Sequence, residues 1–421
     1  MLDRTVAPAF KKIDKIDIKK AHTTHLTNGV PVHQIIAGKQ PVTKVEIVLQ
    51  SGKWFEGQEG IAFFTAKMIG EGTTNKSASE ISTFIDQYGA YLEINPGYDY
   101  ITIAIYSLEK HLPHLVPLFH ELLFSASFPQ VELDIMKNMV RQEIKLKQEK
   151  TTIVALKKIR ETIFKNHPYG KDLGIEQINA IDRGPLIDYY DRFFKNKPEF
   201  ILSGSFTEDT INLIEQYFGK EKFQNIEFPA HNLDYESVSL LIEKPKSSQS
   251  SIKIGKLLFN KTHPEYLKML IVNEILGGYF GSRLMKNIRE QKGYTYGIYS
   301  RMINFRAEGY FIIGADVKKE FTSLALDEIY KEIEKLHTMP IPDDELEIVK
   351  NQMLGSFLNE IDSPFALAEK FKTVHYHNLD YSFYQYFVQQ INTITPEEIM
   401  QTAKIHLQRE SLSEVVVGGI K

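Results

Sequence analysis

Two side chains in the second half of the chain, Arg289 and Tyr296, are candidates for chemistry. The apolar pattern around them predicts a helix that ends at Gly293 and a strand over residues 294–300, so that the two side chains can lie side by side. A guanidinium and a phenol aimed at one place would donate to a peptide carbonyl that becomes an oxyanion, or to a substrate carboxylate. The alternative is structural: Arg289 forms a surface ion pair, for instance with Glu290, and Tyr296 is a half-buried strand aromatic.

Histidines are the next candidates, because imidazole is a common metal ligand and the chain has 13 histidines. Three groups lie close together in the sequence: His22 with His25, His111 with His114 and His120, and His375 with His377. No cysteine or suitably spaced carboxylate accompanies the middle group, which is typical of a solvated helix start, and the other two pairs are weaker candidates still. The sequence therefore predicts no metal site at these groups.

The elements that carry these residues recur in the two halves of the chain. Residues 177–182 (Gln-Ile-Asn-Ala-Ile-Asp) recur 213 residues later as 390–395 (Gln-Ile-Asn-Thr-Ile-Thr), and a helical stretch and a strand ending in glycine follow each copy. The pattern predicts an α+β fold with two homologous halves, each a largely antiparallel sheet covered by helices. We place the N-terminal half at residues 1–230 and the C-terminal half at 231–421, with a polar linker at about 227–236.

Composition excludes several classes of function. The 421 residues include 50 Lys+Arg and 54 Asp+Glu, a net charge of −4, which argues against a nucleic-acid-binding surface. With no cysteine, the chain has no disulfide, no thiolate zinc site and no cysteine nucleophile, which favours a cytoplasmic location. The N-terminal segment mixes acidic and basic residues, and no apolar run is long enough to span a bilayer. We therefore expect neither an export signal nor a membrane segment.

The segment Gly60–Thr73, which reads GIAFFTAKMIGEGT, resembles the inverted zinc-binding helix of the pitrilysin/insulinase-type zinc peptidases. In that family two histidines on one helical face hold zinc, and a glutamate between them activates water. The corresponding positions here hold Phe63, Ala66 and Lys67. Phenylalanine and alanine offer no ligand atom and a cationic lysine repels a metal ion, so the resemblance implies a zinc helix that binds no zinc.

The family's third zinc ligand, a glutamate further along the chain, falls on Glu143. The helical spacing of Glu143 from Met136, Met139 and Val140 places it beside an apolar stripe. We interpret it as a carboxylate at the rim of a helix, paired with Lys67. A lone carboxylate without imidazole partners is a poor site for a transition metal.

The stretch Leu276–Ser300 resembles the family's C-terminal signature closely. That resemblance implies that Arg289 and Tyr296 reach into a catalytic chamber. Together with the lost zinc ligands, it implies a bowl-shaped half of a chamber, similar to the non-zinc subunit of mitochondrial processing peptidase and of its bacterial two-subunit relatives. The expected partner is a homologous subunit with an intact zinc helix. Zinc would then lie in the partner, with no cofactor in this chain, and the substrates would be peptides or unfolded segments.

Two further expectations follow from the same resemblance. Family members add the substrate peptide as a strand at a sheet edge of the zinc half, and the residues at 89–94 here (Gly-Ala-Tyr-Leu-Glu-Ile) depart from the usual pattern. The peptide strand is therefore expected on the partner rather than on this chain. The alternative function is that of a catalytically inactive scaffold or peptide-binding protein with the same fold.

Overall fold

The computed structural model describes residues 13–419, which form two β-sheets covered by helices. The strands are β1 His22–His25, β2 Pro31–Ile36, β3 Val42–Leu49, β4 Tyr91–Pro96, β5 Ile101–Leu108, β6 Glu199–Gly204, β7 Ser239–Glu243, β8 Gln249–Leu258, β9 Thr295–Asn304, β10 Gly309–Lys318 and β11 Ser413–Gly418. The helices are α1 Ile61–Met68, α2 Ala78–Gln87, α3 Leu112–Phe124, α4 Gln130–Glu149, α5 Thr151–Phe164, α6 Ile175–Asn179, α7 Arg183–Phe193, α8 Glu208–Phe218, α9 Tyr266–Asn273, α10 Thr322–Thr338, α11 Asp343–Asn359, α12 Pro364–His375, α13 Ser382–Thr393 and α14 Pro396–His406. None of the helices between residues 13 and 419 is long and apolar enough to cross a membrane.

The two sheets share one topology. The first has the order β1-β2-β6-β3-β5-β4 and the second the order β7-β11-β8-β10-β9. Without β1, both sheets place their first strand parallel to their last, and all other neighbours pair antiparallel. The predicted α+β fold with two related, largely antiparallel sheets is confirmed. Residues 225–238 contain no helix or strand, and the division into halves at residue 230 stays a prediction.

The two halves exchange a helix. α5 begins at Thr151 and α12 at Pro364, 213 residues apart, the same offset as the repeated sequence string. α5 packs Ala155, Ile159 and Ile163 against β8 and β11 of the second sheet. α12, from the second half, packs on β2 and β6 of the first sheet. Each sheet is therefore covered in part by a helix from the other half.

Buried charges fix α12 on the first sheet. Lys372 Nζ on α12 lies 2.9 Å from Glu46 Oε1 on β3, and Lys44 Nζ lies 3.0 Å from Glu46 Oε2. The Glu46 side chain is only 2% exposed, so its charge depends on these two ammonium groups. The contact between the halves thus contains ionic as well as apolar interactions.

Candidate functional site

The helix at the zinc-binding position, α1, is held rigidly at its start. Gly60 precedes it with φ of 95°, a left-handed conformation that favours glycine. The Glu56 carboxylate accepts hydrogen bonds from the backbone N–H groups of Gly60 at 3.1 Å and Ala62 at 3.2 Å. Burial raises the pKa of Glu56 to about 7. These contacts orient the helical face on which zinc ligands would lie.

The three zinc-helix positions do not fit a metal ion. The Phe63 ring packs edge-on against Phe64, with ring centroids 5.3 Å apart, and Ala66 is fully buried. Lys67 Nζ donates a hydrogen bond to the Ile94 carbonyl on β4 at 2.6 Å. An ammonium group stands where the second imidazole would be needed, and neither neighbouring position offers a ligand atom.

Glu143 lies at the same place but is not paired with Lys67. Its carboxylate forms an ion pair with Lys147, one helical turn further along α4, at 2.6 Å. The expected Lys67–Glu143 pair is therefore wrong. Lys67 donates to the Ile94 carbonyl on β4, and Glu143 pairs with Lys147 on its own helix. Phe63, Lys67 and Glu143 do line one groove of about 370 Å³, as the family resemblance implies. The groove therefore contains the carboxylate of Glu143 but no imidazole donor.

The rest of this groove is largely apolar. Its other lining residues are Glu71, which follows α1, and Glu132, Ile135, Met136, Met139 and Val140 on α4. Ile135 and Met139 belong to a stripe of exposed apolar side chains on α4 that continues outside the groove to Val131 and Leu146. Clustered apolar side chains on a surface indicate a site that binds another molecule.

The strand β4 forms one edge of the first sheet. The Lys67 ammonium donates a hydrogen bond to the Ile94 carbonyl on this strand, so this carbonyl already has a hydrogen-bond partner. A peptide strand added at β4 would need free backbone groups along the edge. The expectation that this chain does not take the substrate strand here stays a prediction.

Arg289 lies at the end of the predicted helix, which contains π-type turns over Met285–Gln291 rather than a regular α-helix. The helix ends at Gly293, whose φ of 65° supplies the left-handed stop that the sequence predicts. The Arg289 guanidinium stacks on the ring of Phe280 at 4.6 Å, and that ring is itself exposed. Within residues 13–419, Arg289 has no ion pair, so the structural alternative of a pair with Glu290 is not observed.

Tyr296 is presented to solvent by a β-bulge. Between Ile298 and Thr295 the pairing of β9 with β10 shifts, so that Tyr296 and Gly297 together oppose Asp316 alone. The Thr295 hydroxyl fixes the bulge, since it lies 2.7 Å from the Asp316 carbonyl oxygen and accepts the Gly297 N–H at 3.2 Å. Tyr296 is 96% exposed, not half-buried as the structural alternative requires.

The bulge and the stacked guanidinium leave two hydrogen-bond donors free. Bulges re-aim a side chain away from the regular pleat and are frequent beside active sites. No hydrogen bond or ring contact joins Arg289 to Tyr296 in the part of the chain that the structure describes. Their joint action on one substrate group stays a prediction.

Most of the histidine groups weighed in the sequence have ordinary partners. His114 stacks on Tyr88 at 4.9 Å, His120 Nε2 lies 2.9 Å from Glu221, and His377 Nδ1 lies 2.8 Å from the Thr373 carbonyl. Within residues 13–419, none of the three groups that are close in sequence forms a cluster of three possible metal ligands by itself. His375 instead meets residues from the first sheet, an arrangement that closeness in sequence does not reveal.

Two family models match the chain. Residues 35–175 match the model described as insulinase (peptidase family M16), and residues 180–353 match the model described as peptidase M16 inactive domain. The first match contains the zinc-helix segment and the second contains Arg289 and Tyr296.

Curated relatives and solved structures also match this chain over most of its length. The chain is 25% identical over 348 residues to an uncharacterized zinc protease, YmxG, of Bacillus subtilis, covering 80% of this chain and 83% of the relative. It is 24% identical over 393 residues to a non-peptidase homolog, YmxG, of Helicobacter pylori, covering 87% and 86%. A crystal structure of a peptidase M16 inactive domain from Pseudomonas fluorescens matches with a TM-score of 0.86 and 22% identity, over 95% of this chain and 98% of that chain.

A second solved structure, a protease from Helicobacter pylori, has a TM-score of 0.87 and 17% identity, over 96% of this chain and 100% of that chain. At these identities the solved structures show only the fold of the chain, and the two family models show its family. The second family model carries the description of an inactive domain. The chain therefore belongs to the insulinase (M16) peptidase family.

Proposed function

We propose that this chain is the non-zinc subunit of a two-subunit metallopeptidase. Its partner is a homologous chain with an intact zinc helix, and the two together enclose a chamber in which peptides or unfolded segments are cut. The observation that carries this proposal is the combination of a zinc helix without ligands and a free donor pair, Arg289 and Tyr296. A chain that had become a simple scaffold has no need to keep a tyrosine that is 96% exposed on a bulge.

In the proposed complex, this chain supplies hydrogen-bond donors rather than metal chemistry. The Tyr296 hydroxyl donates one hydrogen bond and the Arg289 guanidinium donates a planar pair, which suit the oxygen of a peptide carbonyl that gains negative charge. Phe280 supports this role, because it holds the guanidinium by its face and leaves the N–H groups of Arg289 free.

The apolar stripe on α4 supports a chamber that receives unfolded polypeptide. Met139 and Ile135 border the groove at the zinc-helix position and remain exposed in the isolated chain. In the complex this stripe would be an apolar wall for the side chains of a peptide. A cytoplasmic location fits the absence of cysteine and is part of the same proposal.

The second candidate function is a catalytically inactive scaffold or peptide-binding protein. The name of the Helicobacter pylori relative, a non-peptidase homolog, favours it. The two candidates differ in what the assembled complex does, since only the first requires Arg289 and Tyr296 for peptide hydrolysis.

The direct test is co-purification from the native host followed by reconstitution. A homologous chain with an intact zinc helix should co-purify, with more than about 1,000 Å² of total surface buried between the two. Mixing the separately purified chains at micromolar concentration should create peptidase activity that neither chain has alone. A complex that forms but cuts no peptide would favour the scaffold, and the absence of any complex by light scattering would refute the heterodimer.

A further inference from the structure

His33, Glu199 and His375 converge where the two halves meet. His33 lies on β2 and Glu199 begins β6, both in the first sheet, while His375 ends α12 from the second half. One ligand atom from each of the three lies within 4.8 Å of the other two. His375 Nε2 is 2.8 Å from Glu199 Oε2, and His33 Nε2 is 3.5 Å from the same oxygen.

The buried imidazole of His33 has an unused nitrogen. The residue is only 3% exposed, yet its Nε2 has no hydrogen-bond partner, since 3.5 Å exceeds the usual length of such a bond. Its other nitrogen, Nδ1, lies 2.9 Å from Thr23 Oγ1. When Nδ1 donates to this hydroxyl, Nε2 carries the lone pair and points at Glu199 and His375. A buried polar atom without a partner requires an explanation.

The ring of His33 is also fixed in orientation. It packs against Phe371 with ring centroids 4.6 Å apart and against His375 at 4.8 Å. The Tyr376 hydroxyl lies 3.2 Å from Glu199 Oε2 and holds the carboxylate from the side. Outer contacts of this kind orient metal ligands in proteins.

We propose that His33, Glu199 and His375 bind one divalent transition-metal ion, and that Zn²⁺ is the ion this donor set fits. Two imidazole nitrogens and a carboxylate oxygen suit zinc, with water as a fourth ligand. Ligands about 2.0–2.2 Å from a tetrahedral zinc ion lie about 3.3–3.6 Å from one another. The Glu199 oxygen lies 2.8 Å from His375 Nε2 and 3.5 Å from His33 Nε2, and all three ligand atoms lie within 4.8 Å of one another, so small side-chain shifts would bring them to that geometry. Glu199 and His375 are partly exposed, which gives the ion a path from solvent.

The ion would join the two halves, because its ligands come from the first sheet and from the exchanged helix α12. This site is separate from the zinc helix, whose positions remain unfit for a metal. No metal was predicted in this chain from the sequence, and this cluster was not considered, since His33 and His375 are 342 residues apart. The proposal concerns the isolated chain and does not depend on a partner subunit.

The test is zinc binding to the untagged full chain after removal of metal with a chelator. Equilibrium dialysis with Zn²⁺ should give one ion per chain, and Zn²⁺ should raise the melting temperature. The His375→Ala and Glu199→Gln variants should each weaken binding by more than the roughly 10–100-fold that loss of an outer-shell partner costs. Thr23→Val, which removes only the hydroxyl beside His33 Nδ1, should weaken binding within that range.

His22→Ala is the matched control. His22 neighbours Thr23 on β1, so its side chain points to the opposite face of the sheet and is exposed. This variant should bind Zn²⁺ as the wild type does. Each variant is compared with its own metal-free form, so a loss of basal stability does not obscure the metal-induced shift. Absence of stoichiometric Zn²⁺ in the wild type, or equal binding by wild type and His375→Ala, would overturn the proposal.

Discussion

Lys67 and Ile94 are joined by a hydrogen bond of 2.6 Å from the lysine ammonium to the edge-strand carbonyl. Lys67 stands at the position of the second zinc-binding histidine, and Ile94 lies on β4, an edge of the first sheet. Lys67 therefore offers no ligand for a metal ion and instead donates to a backbone carbonyl of the edge strand. Burial lowers the pKa of Lys67, and the nearby Glu93 carboxylate opposes that shift.

The Lys67→Met variant should be less stable than the wild type. It removes a charge-assisted hydrogen bond and leaves the Ile94 carbonyl without that donor, so the free energy of unfolding should fall by about 1–3 kcal/mol. Urea unfolding measures the change. Lys147→Met is the control, because the Lys147–Glu143 ion pair is mostly exposed and should contribute no more than about 0.5 kcal/mol. Equal losses in the two variants would show that the bond to Ile94 does not stabilise the fold.

Replacing Glu143 should leave the metal content of the chain unchanged. Without imidazoles at Phe63 and Lys67, the groove offers only the carboxylates of Glu71, Glu132 and Glu143 as ligands, and Lys147 already pairs with Glu143. The Glu143→Ala variant should contain the same amount of zinc as the wild type by mass spectrometry. Neither protein should hydrolyse peptides alone. Loss of a bound zinc ion in this variant alone would mean that the groove is still a metal site.

The buried carboxyl of Glu56 should make stability depend on pH. Burial raises its pKa from 4.5 to about 7 in the folded chain, so folding favours the protonated form. The stabilisation is complete below pH 4.5 and is lost as the pH rises through about 7. As the pH rises from 4.5 to about 7, the unfolding free energy of the wild type should therefore fall relative to that of Glu56→Gln, by up to about 3 kcal/mol.

Glu80→Gln gives the opposite sign as a control. Hydrogen bonds from Ser77 lower the pKa of Glu80, so its contribution is present above pH 4.5 and is lost as the pH falls. Comparing each variant with the wild type cancels the titration of Glu274, which burial also shifts upward. If the Glu56→Gln difference does not change with pH, the carboxyl of Glu56 is not buried in solution as it is in the structure.

The sequence repeat was enough to predict the fold class, because both halves carry the same alternating strands and helices around a conserved offset. Local chemistry also predicted the stop at Gly293, whose positive φ needs no information from the rest of the chain. The π-type turns before it were not predicted. They depend on hydrogen bonds such as Lys292 N–H to the Asn287 carbonyl, which skip one residue more than an α-helix does.

Features that depend on distant parts of the chain could not be predicted. The bulge that exposes Tyr296 depends on the pairing of β9 with β10, in which Asp316 alone lies opposite Tyr296 and Gly297. The meeting of His33 with His375 requires α12 to cross to the first sheet, and nothing near either histidine signals that crossing. The pairing of Glu143 with Lys147 was available from the spacing of four residues along α4, a stronger local signal than the pair with Lys67.

The central claim is that this chain contributes donors to a zinc site in its partner, and Tyr296→Phe in the reconstituted complex tests it most directly. The substitution removes one hydroxyl from a side chain that is 96% exposed, so zinc content, thermal stability and subunit affinity should stay unchanged. If the hydroxyl stabilises charge in the transition state, kcat should fall by roughly 10²–10³, or about 2.7–4 kcal/mol.

Two companion variants sharpen this measurement. Arg289→Lys should also lower kcat, because a single ammonium cannot replace the planar guanidinium. Tyr386→Phe changes another exposed tyrosine, on α13, and should leave the rate unchanged. A loss of kcat in Tyr296→Phe and Arg289→Lys but not in Tyr386→Phe is the predicted result, and wild-type kcat/KM in both of the first two would contradict the account.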